Sequence, residues 1–101
     1  MKRIIAKRTL SEFWVKHANS EQYLKTWHET AKNSKWNSPN DVKNTYVNAS
    51  ILKNNRVVFN IKGNDFRLVV DIEYRIGIAF IVWIGTHKEY DKVNILELKY
   101  E

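Results

Sequence analysis

R-V-V-F-N-I-K-G-N-D-F-R-L-V-V, running from Arg56 to Val70, is the stretch that decides the fold. Two runs rich in Val, Ile and Phe flank Lys62-Gly63-Asn64-Asp65. Branched and aromatic side chains suit an extended, pleated chain, and Gly63 and Asn64 both tolerate the positive φ of a tight turn. The pattern predicts a hairpin of Arg56 to Ile61 against Phe66 to Tyr74. Alternation puts Arg67 on the face of Val69 and opposite Leu68. Ile78 to Ile84 reads as a further strand, reached through the turn Arg75-Ile76-Gly77. Connections this short join antiparallel neighbours.

Before the hairpin the apolar period becomes helical. Tyr23, Leu24, Trp27 and Ala31 recur on one helix face, in a segment that Asn19 or Ser20 can cap and that runs to about Trp36. Asn37-Ser38-Pro39-Asn40 stops it, and Pro39 suits the first turn of a short helix through Tyr46. Thr9-Leu10-Ser11-Glu12 has capping-box spacing, which predicts a helix from there to about Ala18 that buries Leu10, Phe13 and Trp14. Arg3 to Ala6 is a short β-branched run read as a strand. Helices followed by a meander give an α+β fold, with the amino-terminal helices packed on one face of a small, mainly antiparallel sheet and the other face open to a ligand.

The 101 residues are expected to form a single domain, 1–101, since smaller pieces would not bury a core. No apolar run approaches the roughly 18 residues of a membrane span; the longest, Ile76 to Ile84, is interrupted by Gly77. No apolar stretch follows the charged start as in a signal peptide, and there is no cysteine for a disulfide or a thiolate metal site. A cytoplasmic protein is the expectation. The formal charge is +6. Residues 1–46 hold nine Lys or Arg against four acids, and residues 47–101 hold eight against seven. Such a surplus in one half fits either a polyanionic partner or a solvated lysine-rich helical surface.

Polar residues of chemical interest gather at the sheet's carboxyl edge. Asn60 closes one strand, Asn64 sits in the turn, Arg67 begins the next, and Gly85-Thr86-His87-Lys88-Glu89-Tyr90-Asp91 follows the last. Arg67 is either an ion-paired strand residue, with Asp65 or Asp71 as partner, or a phosphate anchor. The His87–Asp91 cluster is either a solvated turn or a proton-transfer centre. RNA is cut without metal when a base takes the 2′-hydroxyl proton, a cation stabilises the phosphorane, and an acid protonates the leaving 5′-oxygen. His, Lys, Arg and Tyr suit those tasks. No histidine or carboxylate spacing marks a metal site, and no cofactor is implied. His17 and His28 read as helix surface, and Trp36, Tyr46 and Phe59 as core. Trp83 differs only if it points to the open face.

Four stretches together resemble the HigB toxin family, itself similar to RelE-type mRNA interferases. They are W-x-S-P-x-D-V-K (Trp36 to Lys43), N-A-S (Asn48 to Ser50), the hairpin from Arg56 to Val70, and G-T-H-x-E-Y-D (Gly85 to Asp91). The resemblance implies a RelE-like α+β fold and a toxin of a type II toxin–antitoxin system. It also implies ribosome-dependent, metal-independent cleavage of translated mRNA. A cognate helix-turn-helix antitoxin would be the partner, with operator DNA bound only through that complex. Carried residue by residue, it puts Arg67, His87 and Tyr90 in the active site and Asp91 in support of His87. Lys43, Arg56, Asn60, Lys62, Asn64 and Lys88 would contact RNA, with Glu89 structural. A basic module that blocks ribosomes without cutting is the alternative. A DNA-binding regulator is disfavoured, because the basic helices carry no helix-turn-helix pattern.

Overall fold

The computed structural model describes residues 1–100. β3 (Arg56–Ile61) pairs antiparallel with β4 (Phe66–Glu73), and β4 pairs antiparallel with β5 (Ile78–Thr86). β1 (Arg3–Ile5) lies parallel to β5 on one edge of the sheet. The other edge is the two-residue β2 (Ser50–Ile51), paired antiparallel with β3 and not foreseen from the sequence. The strand order is β1-β5-β4-β3-β2, so all but one pairing is antiparallel. With α1 (Lys7–Lys16), α2 (Glu21–Asn33), α3 (Pro39–Thr45) and the single-turn α4 (His87–Tyr90), this is the expected α+β fold.

The alternation holds. Val57, Phe59, Ile61, Phe66, Leu68, Val70 and Ile72 face the helices, where they meet Leu10, Leu24, Trp27 and Ala31. An aromatic cluster ties α2 and α3 to β3. Phe59 contacts Trp27 at 5.3 Å and Tyr46 at 5.3 Å, and Trp36 stacks on it at 5.9 Å. Burying these large apolar rings together helps hold α2 and α3 to the sheet.

Several expected boundaries move. The box at Thr9 and Glu12 does not form: α1 starts at Lys7 after an extended Ala6, with no side-chain cap. β1 must reach Ile5 to pair with β5, so the chain turns straight from strand into helix before a cap at Thr9 could act. α2 ends at Asn33 rather than near Trp36, whose Nε1 instead donates to Thr45 Oγ1 at 3.0 Å. Ser20 stands at the start of α2 but turns its hydroxyl back to the His17 carbonyl. Ser38 does cap α3, accepting from the Asp41 N–H with Pro39 in the first turn. In the hairpin turn the positive φ falls on Lys62 and Gly63, not on Gly63 and Asn64.

Two features reshape the second sheet face. It is not open throughout: Val69 and Val58 are buried there, and the C-terminal segment returns to it. Arg56 donates to the Ile95 carbonyl at 2.8 Å, and Tyr100 packs on Phe80 at 5.0 Å. Second, β5 carries a bulge. Val69 opposes Trp83 while Val70 opposes Ile81, leaving Val82 as the extra residue. A bulge reverses the alternation beyond it. Ile84 therefore packs against the core, and Trp83 lies on the face of Arg67.

Candidate active site

The β3–β4 turn and α4 meet at one end of the sheet. The His87 backbone N–H donates to the Asp65 carbonyl at 2.9 Å, joining two stretches that lie far apart in sequence. α4 itself is held by a reciprocal cap. Thr86 Oγ1 accepts from the Glu89 N–H at 3.1 Å, and Glu89 Oε1 accepts from the Thr86 N–H at 2.8 Å. That backbone hydrogen bond from Thr86 holds the Glu89 carboxyl below its usual range. Glu89 is thus the structural residue expected. Thr86-x-x-Glu89 has capping-box spacing in the sequence, as Thr9-x-x-Glu12 does, and only the former forms the box.

Arg67 occupies the centre. Its backbone position pairs with Asn60 on β3 and Gly85 on β5, so these three stand side by side on one face. The guanidinium does not pair with an acid. Asp65 binds Lys62 at 3.1 Å and Asp71 binds Arg56, while Arg67 Nη1 donates to the Asn64 carbonyl at 3.0 Å and Nη2 to Asn64 Oδ1 at 2.7 Å. Nη1 also reaches the Phe66 carbonyl at 3.4 Å. Of the five N–H bonds of an arginine, these leave Nε–H and one Nη2–H along a shared edge. The guanidinium carbon lies 5.5 Å from the centre of the Tyr90 ring. Arg67 is only 9% exposed, which corrects the expectation of an open-face side chain.

Trp83 extends the aromatic surface, 6.3 Å from Tyr90 and tilted 47° to it. Its indole lies across Gly85, where a Cβ would meet Cη2 at 2.4 Å. No side chain other than hydrogen fits beneath it. His87 is half exposed, with Nε2 3.5 Å from Asp91 Oδ2. Lys88 is exposed and has no acidic partner among the described residues. His17, read as helix surface, stacks on Phe13 at 4.3 Å and sits edge-on to Phe66 at 5.8 Å.

Two expected RNA contacts are engaged elsewhere. Arg56 is 7% exposed and locked to Asp71 through Nε at 2.8 Å and Nη2 at 2.9 Å. The Asp71 carboxylate already compensates the Arg56 charge, unlike that of Arg67, which leaves Arg56 less suited to hold a backbone phosphate. Lys43 Nζ bonds the carbonyls of Val47 at 2.6 Å and Ala49 at 2.8 Å, bracing the loop after α3. Lys62, paired with Asp65, and the exposed Asn60 stay beside the site. Among the described residues no three His, Cys, Asp or Glu side chains converge on a metal position. Nor is any helix long and apolar enough to cross a membrane.

A family model described as HigB toxin, the RelE-like toxic component of a toxin-antitoxin system, matches residues 20–93. The match runs from the start of α2 past α4 and so includes Arg67, Trp83, His87, Tyr90 and Asp91. No curated protein matches the chain.

Proposed function

The chain belongs to the HigB family of RelE-like toxins, and on that premise we propose that it is an endoribonuclease of the cytoplasm that cuts translated mRNA on the ribosome. The observation that carries the reading is the bond between His87 N–H and the Asp65 carbonyl, which brings a proton-transfer group to the turn that positions Arg67. Arg67 offers a free two-donor edge, and its neutral partners leave its charge uncompensated for the scissile phosphate. As the 2′-oxygen attacks phosphorus, charge grows on the phosphoryl oxygens, and a fixed cation there lowers the barrier. His87 is the proton-transfer group of the set, with Asp91 orienting its ring. The 5′-oxygen leaves protonated, and the product carries a 2′,3′-cyclic phosphate.

Tyr90 and Trp83 give unpaired bases a stacking surface, the usual way in which single-stranded RNA is held. Lys62, Lys88, Asn60 and Asn64 line the approach of the backbone. No metal ion is required, and the whole chain acts as one domain. The cognate antitoxin implied by the family is a helix-turn-helix protein in this reading, through which the pair meets operator DNA.

The test is single-turnover cleavage of mRNA on ribosomes held together by polyamines or cobalt hexammine, in EDTA, by the wild type and by His87→Gln. Wild-type cutting should persist in EDTA and leave cyclic or 3′-phosphate ends. The variant should bind ribosomes nearly as well but cut roughly 10² to 10⁴ times more slowly. Wild-type protein that occupies ribosomes and leaves mRNA intact would make the chain a non-catalytic blocking module.

A further inference from the structure

Two clefts, of about 530 Å³ and 330 Å³, lie along the outer edge of β3 and share Tyr46, Asn60 and Gly63 in their walls. The larger reaches α2 through Tyr23 and Thr26 and also takes in Lys62. No acidic residue lines either one. The wall after α3 is braced from within. Lys43 Nζ bonds the Val47 and Ala49 carbonyls, and the Ala49 N–H donates to the Tyr46 carbonyl at 3.0 Å.

The direction of the β3 backbone decides what these clefts offer. The Asn55 carbonyl accepts from Ile72 on β4 at 3.0 Å, whereas the Arg56 carbonyl accepts from Leu52, just after β2, at 2.7 Å. Successive residues of an antiparallel strand turn their N–H and C=O groups to opposite sides, so those of Arg56, Val58 and Asn60 all point away from β4. β2 pairs with Val57 and Val58 and goes no further. The N–H and C=O of Asn60 therefore meet no backbone partner among the described residues, and its side-chain amide is exposed beside them. Asn60 also stands directly opposite Arg67. In a cross-strand pair that exchanges no hydrogen bonds the side chains come closest, with Cα atoms about 4.5 Å apart.

We infer that these clefts hold one unpaired nucleobase of the RNA, next along the chain from the phosphate at Arg67. A base carries donor and acceptor atoms side by side on its edge, which the N–H and C=O of Asn60 can meet. Tyr23, 49% exposed, offers a ring to its face. A peptide strand suits this edge poorly. Asn60 alone presents outward groups there before Lys62 and Gly63 turn the chain with positive φ, and one residue cannot seat a strand. A bare anion would set its oxygens against the Asn60 carbonyl, acceptor against acceptor. The inference takes its ligand, RNA, from the proposed function and does not need the cutting.

The experiment measures affinity for mRNA on polyamine-stabilised ribosomes, with cleavage blocked by a 2′-deoxy nucleotide and a single abasic position placed in turn on either side of the block. The wild type should lose roughly tenfold in affinity at one flanking position, within the range for a lost base stack. Tyr23→Ala should lose a similar factor on intact mRNA and become indifferent to the abasic site there. Thr26→Trp, which fills the larger cleft from the exposed side of α2, should do the same. Both should melt like the wild type, since both side chains are exposed. A wild type with no sensitive flanking position overturns the proposal, as does a sensitivity that survives in either variant. So does a Tyr23→Ala that binds ribosomes normally but loses affinity for the purified antitoxin, which would make the clefts a protein surface. Base dependence in a wild type that leaves unblocked mRNA intact would sink the nuclease reading alone, and cleavage without base dependence would sink the base site alone.

Discussion

The indole of Trp83 and the bare α-carbon of Gly85, two residues apart on β5, occupy one another's space: a Cβ on Gly85 would stand 2.4 Å from Cη2 and 2.5 Å from Cζ2. Glycine here is required by a close approach rather than by backbone angle. It lets the ring lie flat along the strand and meet Tyr90, which in turn meets Arg67.

Gly85→Ala should therefore push the indole off the strand. Trp83 is only partly buried and can swing outward, so the stability loss should be modest, about 1 kcal/mol, at the low end for overpacking. The near-ultraviolet circular dichroism of the tryptophans should change, and affinity for single-stranded RNA should fall with it. An unchanged spectrum would mean that the ring does not rest on Gly85 in solution.

Arg67→Ala should cost both stability and rate. The side chain is buried and braces the turn through Asn64, so its loss should destabilise by about 1–3 kcal/mol. Cleavage at a temperature where the variant is folded should drop roughly a hundredfold or more. Arg67→Lys keeps the charge without the two-donor edge, and should recover little of the rate. Full activity in the lysine variant would reduce Arg67 to a point charge.

Arg56 and Asp71 form a nearly buried pair, with side-chain exposures of 8% and 26%. Asp71→Asn should destabilise by about 3 kcal/mol by leaving the guanidinium uncompensated. The double variant Arg56→Met/Asp71→Leu should regain most of that loss in chemical denaturation. Its ribosome affinity should match the wild type, since the Arg56 charge is already compensated by Asp71. Weakened ribosome binding in a well-folded double variant would restore Arg56 to the interface.

The cap on α4 gives a pH signature. The Glu89 carboxyl titrates below its ordinary value of 4.5 when folded, chiefly through the Thr86 backbone hydrogen bond, so folding favours the ionised form. Its contribution is complete above that ordinary value and fades as the pH falls through the lowered one. Glu89→Gln should therefore melt lower than wild type at pH 7, and the two curves should converge in acid. A gap that persists at pH 2.5 would assign the loss to packing rather than charge.

The strands were legible because their signal is local. Val, Ile and Phe at alternate positions and a glycine between them restrict the chain whatever surrounds it, so Arg56–Ile61 was found to the residue. Pro39 and Ser38 marked the start of α3 for the same reason. The hairpin from Arg56 to Val70 together with G-T-H-x-E-Y-D carries the resemblance to the family, which is likewise a property of local sequence.

Tertiary structure decided what local pattern leaves degenerate. Capping-box spacing occurs at Thr9 and at Thr86, and only the pairing of β1 with β5 determined that the first is overrun while the second forms. Three arginines and lysines near the hairpin look alike in sequence. Packing assigned Arg56 to Asp71 and Lys62 to Asp65, and left Arg67 with neutral acceptors. Trp83 reached the site only through the bulge at Val82, a shift that strict alternation would deny. Which side chain faces where is a property of strand register, and register is fixed by the neighbouring strand rather than by the residues themselves.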